Sequence, residues 1–233
     1  MKAAVYYENG DPGVLKYEDV PDPVCQPTGI VIKIQAVSVE GGDILNRWRG
    51  ALTGRPHIVG YQAAGEIVEV GAQVEGLKVG QSVATCGAAG SHAQLRAVAA
   101  TGAWLVPDGL DVKAASVIPV TFGTADECLF EAGRLEAGET VLIQAGASGV
   151  GVAALQLAKR AGATVLATAS SDERLDRLRP LGVDHGGNYL REDVVEWVMR
   201  VTGGKGVDLV VDPVGGATLQ ASLGALAYRG RIA

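Results

Sequence analysis

The stretch QAGASGVG, residues 144–151, constrains this chain more than any other. It follows the apolar run TVLI. From Val150 onward the chain repeats Val150, Ala153, Ala154, Leu157 and Ala158 at i, i+3, i+4, i+7 and i+8. The run predicts a buried parallel strand and the repeat one helical face. A glycine-rich turn between such a strand and helix suits an anion, because the first helical N–H groups lack partners and the dipole favours negative charge. Gly146 is assigned the turn out of the strand, Gly149 the close approach of a phosphate, and Gly151 the packing of helix on sheet. Ser148 replaces the middle glycine of the usual pattern, with Gly149 directly after it. The expectation is a dinucleotide pyrophosphate held by Gly146, Ser148, Gly149, Val150 and Gly151; the alternative is a glycine-rich turn with no ligand.

The segments around this loop keep the same rhythm. ATVLATAS (163–170) predicts a second strand, SDERLDRLRPLG (171–182) a helix, HGGNY (185–189) a third strand and REDVVEWVMRVTGG (191–204) a helix. VDLVVDPVGG (207–216) predicts a fourth strand, ATLQASLGALAYRG (217–230) a helix and RIA the start of a fifth strand. Upstream, DVKAASVIPVTFGTADECLFEAG is long enough for helical segments, with Pro119 and Gly123 interrupting it. Such alternation implies a parallel sheet with right-handed crossovers. A doubly wound fold usually has a sixth strand, so the expectation is either a fragment or a sheet short of one edge, which would be open to association.

Before residue 112 the texture differs. KAAVYY, GIVIKIQAVSV, AAGEIVEVG, QSVATCG and HAQLRAVAA are short β-rich runs bounded by Gly and Pro, with turns at Gly71 and Gly80. They predict an all-β or barrel-like domain. The predicted organisation is therefore an α/β protein with a β-rich domain over 1–112 and a doubly wound, Rossmann-type domain over 113–233.

Composition narrows the partners. Hydrophobic residues at 48% and charged residues at 20% suit a soluble globular protein, and 33 glycines imply many tight turns. A net charge of -6 argues against general nucleic-acid or anionic-membrane binding, leaving a small molecule as the expected partner. No apolar run reaches spanning length, and the N-terminus lacks the apolar core of a signal peptide. Cys25, Cys86 and Cys128 are sparse and follow no motif, so free thiols and a cytoplasmic setting are expected.

The end of the second strand bears on which dinucleotide. An NAD site usually has Asp or Glu about 20 residues past the glycine loop, accepting from the ribose 2′-OH. Here Ala169, Ser170 and Ser171 stand at the tip. Ser170 and Ser171 can donate to a 2′-phosphate and Arg174 can pair with it. The competing reading of Arg174 is a solvated helix residue paired with a nearby acid. Asp172 could turn inward and oppose a phosphate. NADPH is expected in preference to NADH.

The chain resembles the zinc-free quinone-oxidoreductase branch of the medium-chain dehydrogenase/reductase superfamily, across essentially all 233 residues. The segments that carry the resemblance are VLKYEDVPDPVCQPTGIVIKIQAVSVEGGD, PHIVGYQAAGEIVEVGAQVEGLKVGQSV, GTADECLFEAGRLEAGETVLIQAGASGVGVAALQLAKRAGATV, TGGKGVDLVVDPVGG and LAYRGRIA. It implies a GroES-like catalytic domain ahead of a Rossmann NADP-binding domain, with homodimerisation possible. Zinc-binding members place Cys where this chain has Ser38, and His-Glu where it has Tyr61-Gln62; Ser, Tyr and Gln are poor Zn²⁺ ligands. His57, His92 and His185 have no ligand spacing, so no metal is expected.

The resemblance also implies site residues. Asp43 matches an Asp near the nicotinamide, Glu40 stands where Asn is common, and Thr124 matches a Thr near the nicotinamide end. Tyr61 stands nearest the lost metal position. Two readings of it remain open, an oxyanion donor or a half-buried strand tyrosine. Asn46 and Arg49 either line the substrate side or cap a short helix. Asn188-Tyr189 resembles the family's pair after the third strand, putting Tyr189 near the 2′-phosphate, while Asp212, Val214 and Gly215 would lie along the ribose and nicotinamide side. The implied function is zinc-independent hydride transfer from NADPH to a quinone or an α,β-unsaturated carbonyl. The alternatives are an alcohol or aldehyde dehydrogenase of the same superfamily, or a non-catalytic NADPH-binding protein.

Overall fold

Short β-branched runs broken by turns give the first part of the chain two antiparallel sheets. The computed structural model describes all residues, Met1–Ala233, as two units, Met1–Val120 and Thr121–Ala233. The first contains β1 (Lys2–Tyr6), β2 (Lys16–Asp19), β3 (Gly29–Ser38), α1 (Gly41–Arg49), β4 (His57–Ile58), β5 (Gln62–Val70), β6 (Ser82–Cys86), β7 (Leu95–Ala99), β8 (Ala103–Leu105) and α2 (Val112–Ala115). One sheet runs β2-β1-β4 and the other β7-β3-β5-β6-β8. Ile30, Ile32, Ala63, Ile67 and Val83 form the core of the larger sheet. β3 pairs on both sides, with β5 and with β7, and brings Ser38 opposite Gln62 at one end. That end carries the site residues of this unit.

The division between the units falls within α3 (Ile118–Asp126), which continues into a π-helical turn over Glu127–Ala132. The expectation that Pro119 and Gly123 interrupt this region is not met. The break comes earlier, at Ser116–Val117, and Pro119 lies in the first turn of α3, where its missing N–H costs no helical bond. Gly123 lies inside the helix.

The second unit alternates β9 (Thr140–Ile143), α4 (Gly149–Arg160), β10 (Thr164–Ala169), α5 (Asp172–Leu178), β11 (His185–Asn188), α6 (Val194–Val201), β12 (Val207–Val211), α7 (Ala217–Gly224) and β13 (Leu226–Ile232). Its sheet is parallel throughout, in the order β11-β10-β9-β12-β13. Period-two alternation gives it two buried faces. Val141, Ile143, Val165, Ala167, Leu209 and Val211 pack on Ala153, Ala154, Leu155 and Ala158 of α4. Leu142, Leu166 and Val210 pack the other way, against Trp197 and Val198 of α6. Each fully buried Leu or Val of this kind contributes roughly 1.5–3 kcal/mol relative to exposure.

One element departs from the sequence reading. The helix expected over 217–230 ends at Gly224, and 226–232 is strand. The register of β13 on β12 shifts between Val207 and Leu209, Arg229 adopts φ 63°, and a Cβ on Gly230 would lie 2.9 Å from the Val207 carbonyl oxygen. This bulge hides the alternation that marks a strand. No helix is long and apolar enough to cross a membrane.

Candidate cofactor and active site

In a parallel sheet every strand delivers its C-terminal loop to the same edge. Residues 144–151 after β9, 170–174 after β10, 189 after β11 and 212–215 after β12 are therefore neighbours, although they span 72 residues of chain. Within the glycine loop the left-handed residue is Ala145, at φ 50°, and not Gly146. Gly146 is needed for proximity: a Cβ there would meet Ala167 Cβ at 2.9 Å. Ser148 caps α4, its Oγ accepting from the Gly151 N–H at 3.0 Å. A Cβ on Gly151 would lie 2.5 Å from the Ala145 carbonyl oxygen, so this glycine closes the loop on the helix's first turn. Gly149 differs, since a Cβ there would meet only Thr121 Cγ2, at 3.1 Å. The Gly149 and Val150 N–H groups, at the first two helical positions, have no partner within α4.

A buried polar chain fixes this loop. Thr168 Oγ1 donates to Gln144 Oε1 at 2.7 Å and accepts from the Ala145 N–H at 3.2 Å. Gln144 Nε2 donates to Ser222 Oγ at 3.2 Å, and Ser222 Oγ donates to Asp212 Oδ2 at 2.8 Å. Asp212 Oδ1 accepts from the Val214 and Gly215 N–H groups at 3.0 and 2.9 Å. Oδ1 of Asp212 thus holds the 212–215 turn, while Oδ2 ties it to Ser222 of α7. Gln144, Thr168 and Ser222 were not among the sequence candidates. For Gln144 and Thr168 the signal was a polar residue at the end of an otherwise apolar run; Ser222, inside α7, carried none. Tyr189, Val214, Gln144, Ala145 and Thr168 line one cavity of about 410 Å³.

At the tip of β10, Ser171 caps α5 by accepting from the Arg174 N–H at 3.3 Å. Arg174 is exposed, and its guanidinium makes no ion pair, contrary to the solvated-pair reading. The acids beside it are engaged elsewhere: Glu173 with Arg177 at 2.6 Å, Asp176 with Arg179 at 3.2 Å, and Asp172 with Arg191.

In the first unit, Asp43 is buried at 3% exposure, and its carboxylate accepts from the Glu40 N–H at 2.9 Å and the Tyr61 N–H at 3.2 Å. Glu40 Oε1 accepts from Ser38 Oγ at 2.6 Å and from Gln62 Nε2. Gln62 Oε1 accepts from the Val120 N–H at 2.8 Å. The half-buried Tyr61 ring lies over Gly42, where a Cβ would come within 2.4 Å of it. Asn46 Nδ2 donates to Tyr61 Oη at 2.9 Å, so the phenolic hydrogen itself stays available. Arg49 instead lies over the Trp48 ring.

The buried Arg96 Nη2 donates to the Tyr61 carbonyl at 2.8 Å and to that of Ala89 at 3.0 Å. Burial pulls the Arg96 guanidinium below its usual range. His92 Nε2 lies 3.8 Å from Asp43 Oδ2. Burial pushes His92 below its ordinary value, Asp43 acts to raise it and Arg96 lowers it further. Asp43 and Tyr61 are thus brought together. Thr124 lies in the second unit, exposed on α3.

Residues 26–108 match the family model for the alcohol dehydrogenase GroES-like domain and residues 149–233 that for zinc-binding dehydrogenases. The 2-haloacrylate reductase of Burkholderia sp. is 34% identical over 245 residues, covering 100% of this chain and 72% of that protein. The chain belongs to the medium-chain dehydrogenase/reductase superfamily, in its zinc-free quinone-oxidoreductase-like branch. A highly-reducing polyketide synthase of Aureobasidium melanogenum is 37% identical over 217 residues, 92% of this chain but only 10% of the synthase. Among solved structures, the Escherichia coli quinone oxidoreductase complexed with NADPH superposes with a TM-score of 0.91 at 27% identity, covering 100% of this chain and 72% of that one.

The zinc in one family description does not fit these residues. Ser38, Tyr61 and Gln62 offer a hydroxyl, a phenol and an amide, and Ser38 and Gln62 are already bound to Glu40. No group of three or more His, Cys, Asp or Glu side chains converges to hold a metal ion. A superfamily dinucleotide does fit: the Gly149 and Val150 N–H groups at the α4 N-terminus have no partner within the helix, and a cationic side chain stands unpaired near the second strand.

Proposed function

We propose that this chain is an NADPH-dependent reductase that delivers hydride to a quinone or an α,β-unsaturated carbonyl. One observation carries the reading: beside a glycine-lined helix start, Arg174 is exposed and unpaired while every acid of its helix is engaged with another arginine. A 2′-phosphate is the ligand group that completes such a cation. The Gly149 and Val150 N–H groups receive the pyrophosphate, and Ser170, Ser171 and Tyr189 flank the 2′-phosphate.

NADPH, when bound, supplies the hydride. The protein's work is to align the acceptor and to stabilise charge on its oxygen. Tyr61 is the proposed donor to that oxygen, because Asn46 occupies its lone pair and leaves its O–H free. Asp43 and Arg96 are positioning residues: they hold the Tyr61 N–H and carbonyl from opposite sides. Thr124 is proposed to lie along the nicotinamide end. Conjugated acceptors suit this arrangement, since they need a hydrogen-bond donor and no Lewis acid.

The test is NADPH oxidation across a panel of quinones and enones, with and without added zinc. Turnover independent of zinc is expected, and Tyr61→Phe should lower kcat about 100- to 1000-fold, in the range for removing one oxyanion donor, with NADPH affinity unchanged. Zinc-dependent oxidation of simple alcohols would indicate a dehydrogenase instead. Tight NADPH binding with no turnover on any acceptor would indicate a binding protein.

A further inference from the structure

Asp172 poses a problem for NADPH binding. It lies about 20 residues past the glycine loop, where an acid ordinarily accepts from the ribose 2′-OH and repels a 2′-phosphate. In the structure its two oxygens are both held towards β11. Oδ1 accepts from Asn188 Nδ2 at 2.8 Å, and Oδ2 pairs with the Arg191 guanidinium. Asn188 is buried, and its own Oδ1 accepts from the Leu190 N–H at 3.1 Å, which fixes which face of the amide meets Asp172. Arg191 has no other partner and its side chain is 71% exposed. Exposed pairs of this kind add little to stability, so this one is better explained by what it does to a charged ligand.

We propose that Arg191 is a specificity-determining residue. By pairing with Asp172 it cancels the one carboxylate that would select NADH, and it leaves Arg174 to meet the 2′-phosphate. This rests on the NADPH reading above. Coenzyme choice is then set by a side chain on the loop after the third strand, acting on a residue that follows the second. Without Arg191, Asp172 keeps one hydrogen bond, but its negative charge loses the neighbouring cation and opposes the phosphate.

The experiment measures Kd for NADPH and NADH by fluorescence titration at low ionic strength, for the wild type, Arg174→Ala, Arg191→Ala, Asp172→Asn and Arg191→Ala/Asp172→Asn, with a thermal melt of each. Arg191→Ala should reduce the NADPH-to-NADH preference about tenfold through weaker NADPH binding, the scale of one unscreened charge near another. Asp172→Asn should hold or raise the preference, and the double variant should recover most of what Arg191→Ala loses. A preference within twofold of wild type in Arg191→Ala overturns the inference, as does a double variant that recovers nothing. The cofactor reading has its own outcomes: a wild type without NADPH preference overturns both, and an Arg174→Ala variant with unchanged preference removes Arg174 as the phosphate's partner in both, leaving the Arg191–Asp172 coupling to be decided by its own variants.

Discussion

The sequence pattern gives Gly149 and Gly151 different tasks, and their surroundings in the structure differ. Gly151 is locked against backbone, the Ala145 carbonyl, whereas a Cβ on Gly149 would meet only a side-chain methyl, Thr121 Cγ2 at 3.1 Å, which can give by a few tenths of an ångström. Gly151→Ala should therefore destabilise the protein by about 1–3 kcal/mol through overpacking. Gly149→Ala should melt within a few degrees of wild type yet bind NADPH at least about tenfold more weakly, because its methyl occupies the phosphate's approach. Urea unfolding paired with NADPH titration checks both, and equal loss of stability in the two variants would remove the distinction. The glycine pattern was legible because it counts residues. The left-handed turn at Ala145 was not, since its backbone is set by hydrogen bonds that the Ala145 and Gly146 N–H groups donate to Thr168 on the next strand. The same limit applied to Asp172, whose sequence position warns of an acid but cannot reveal the partners that turn it away.

β11 is an element that propensity alone would disfavour, with Gly186 and Gly187 at its centre. Its neighbours explain it. A Cβ on Gly187 would lie 2.7 Å from the Trp197 ring of α6, and one on Gly186 would lie 3.0 Å from Leu175 of α5. Two large side chains reach the backbone because no side chain stands in the way. Gly187→Ala should cost about 1–3 kcal/mol by forcing the indole outward, and Trp197 fluorescence would report the displacement directly. The strand was readable from its place in the alternation. The end of α7 was not, because a bulged strand with Arg229 in a left-handed conformation mimics helical spacing over 226–230.

Over the whole molecule, acid sensitivity should come in two windows. His57 and His92 both sit below the ordinary histidine value, chiefly because burial disfavours their charged forms. His57 Nδ1 also accepts from the Thr53 N–H at 3.2 Å, which requires the neutral ring. The folded chain thus binds fewer protons than the unfolded one near pH 6, so stability falls as pH drops below about 6.5, the unfolded value. Glu139 is held below the usual carboxylate value mainly by its hydrogen bond from Arg231, despite the opposing effect of burial. Its contribution is present above about pH 4.3 and is lost below that. Melting temperatures recorded from pH 8 to 5 should decline, and His92→Gln should flatten the decline. An equally steep curve in that variant would exclude His92 as a source.

The single direction of the five sheet strands has a consequence for how such a protein can change. Its apolar framework lies in the strands and the helix faces, while the groups proposed to read the coenzyme sit in short connections at one rim. Exchanging one coenzyme for another then requires only a few substitutions in surface turns, leaving the interior that drives folding intact. Ligand choice and foldability can drift independently, generation by generation.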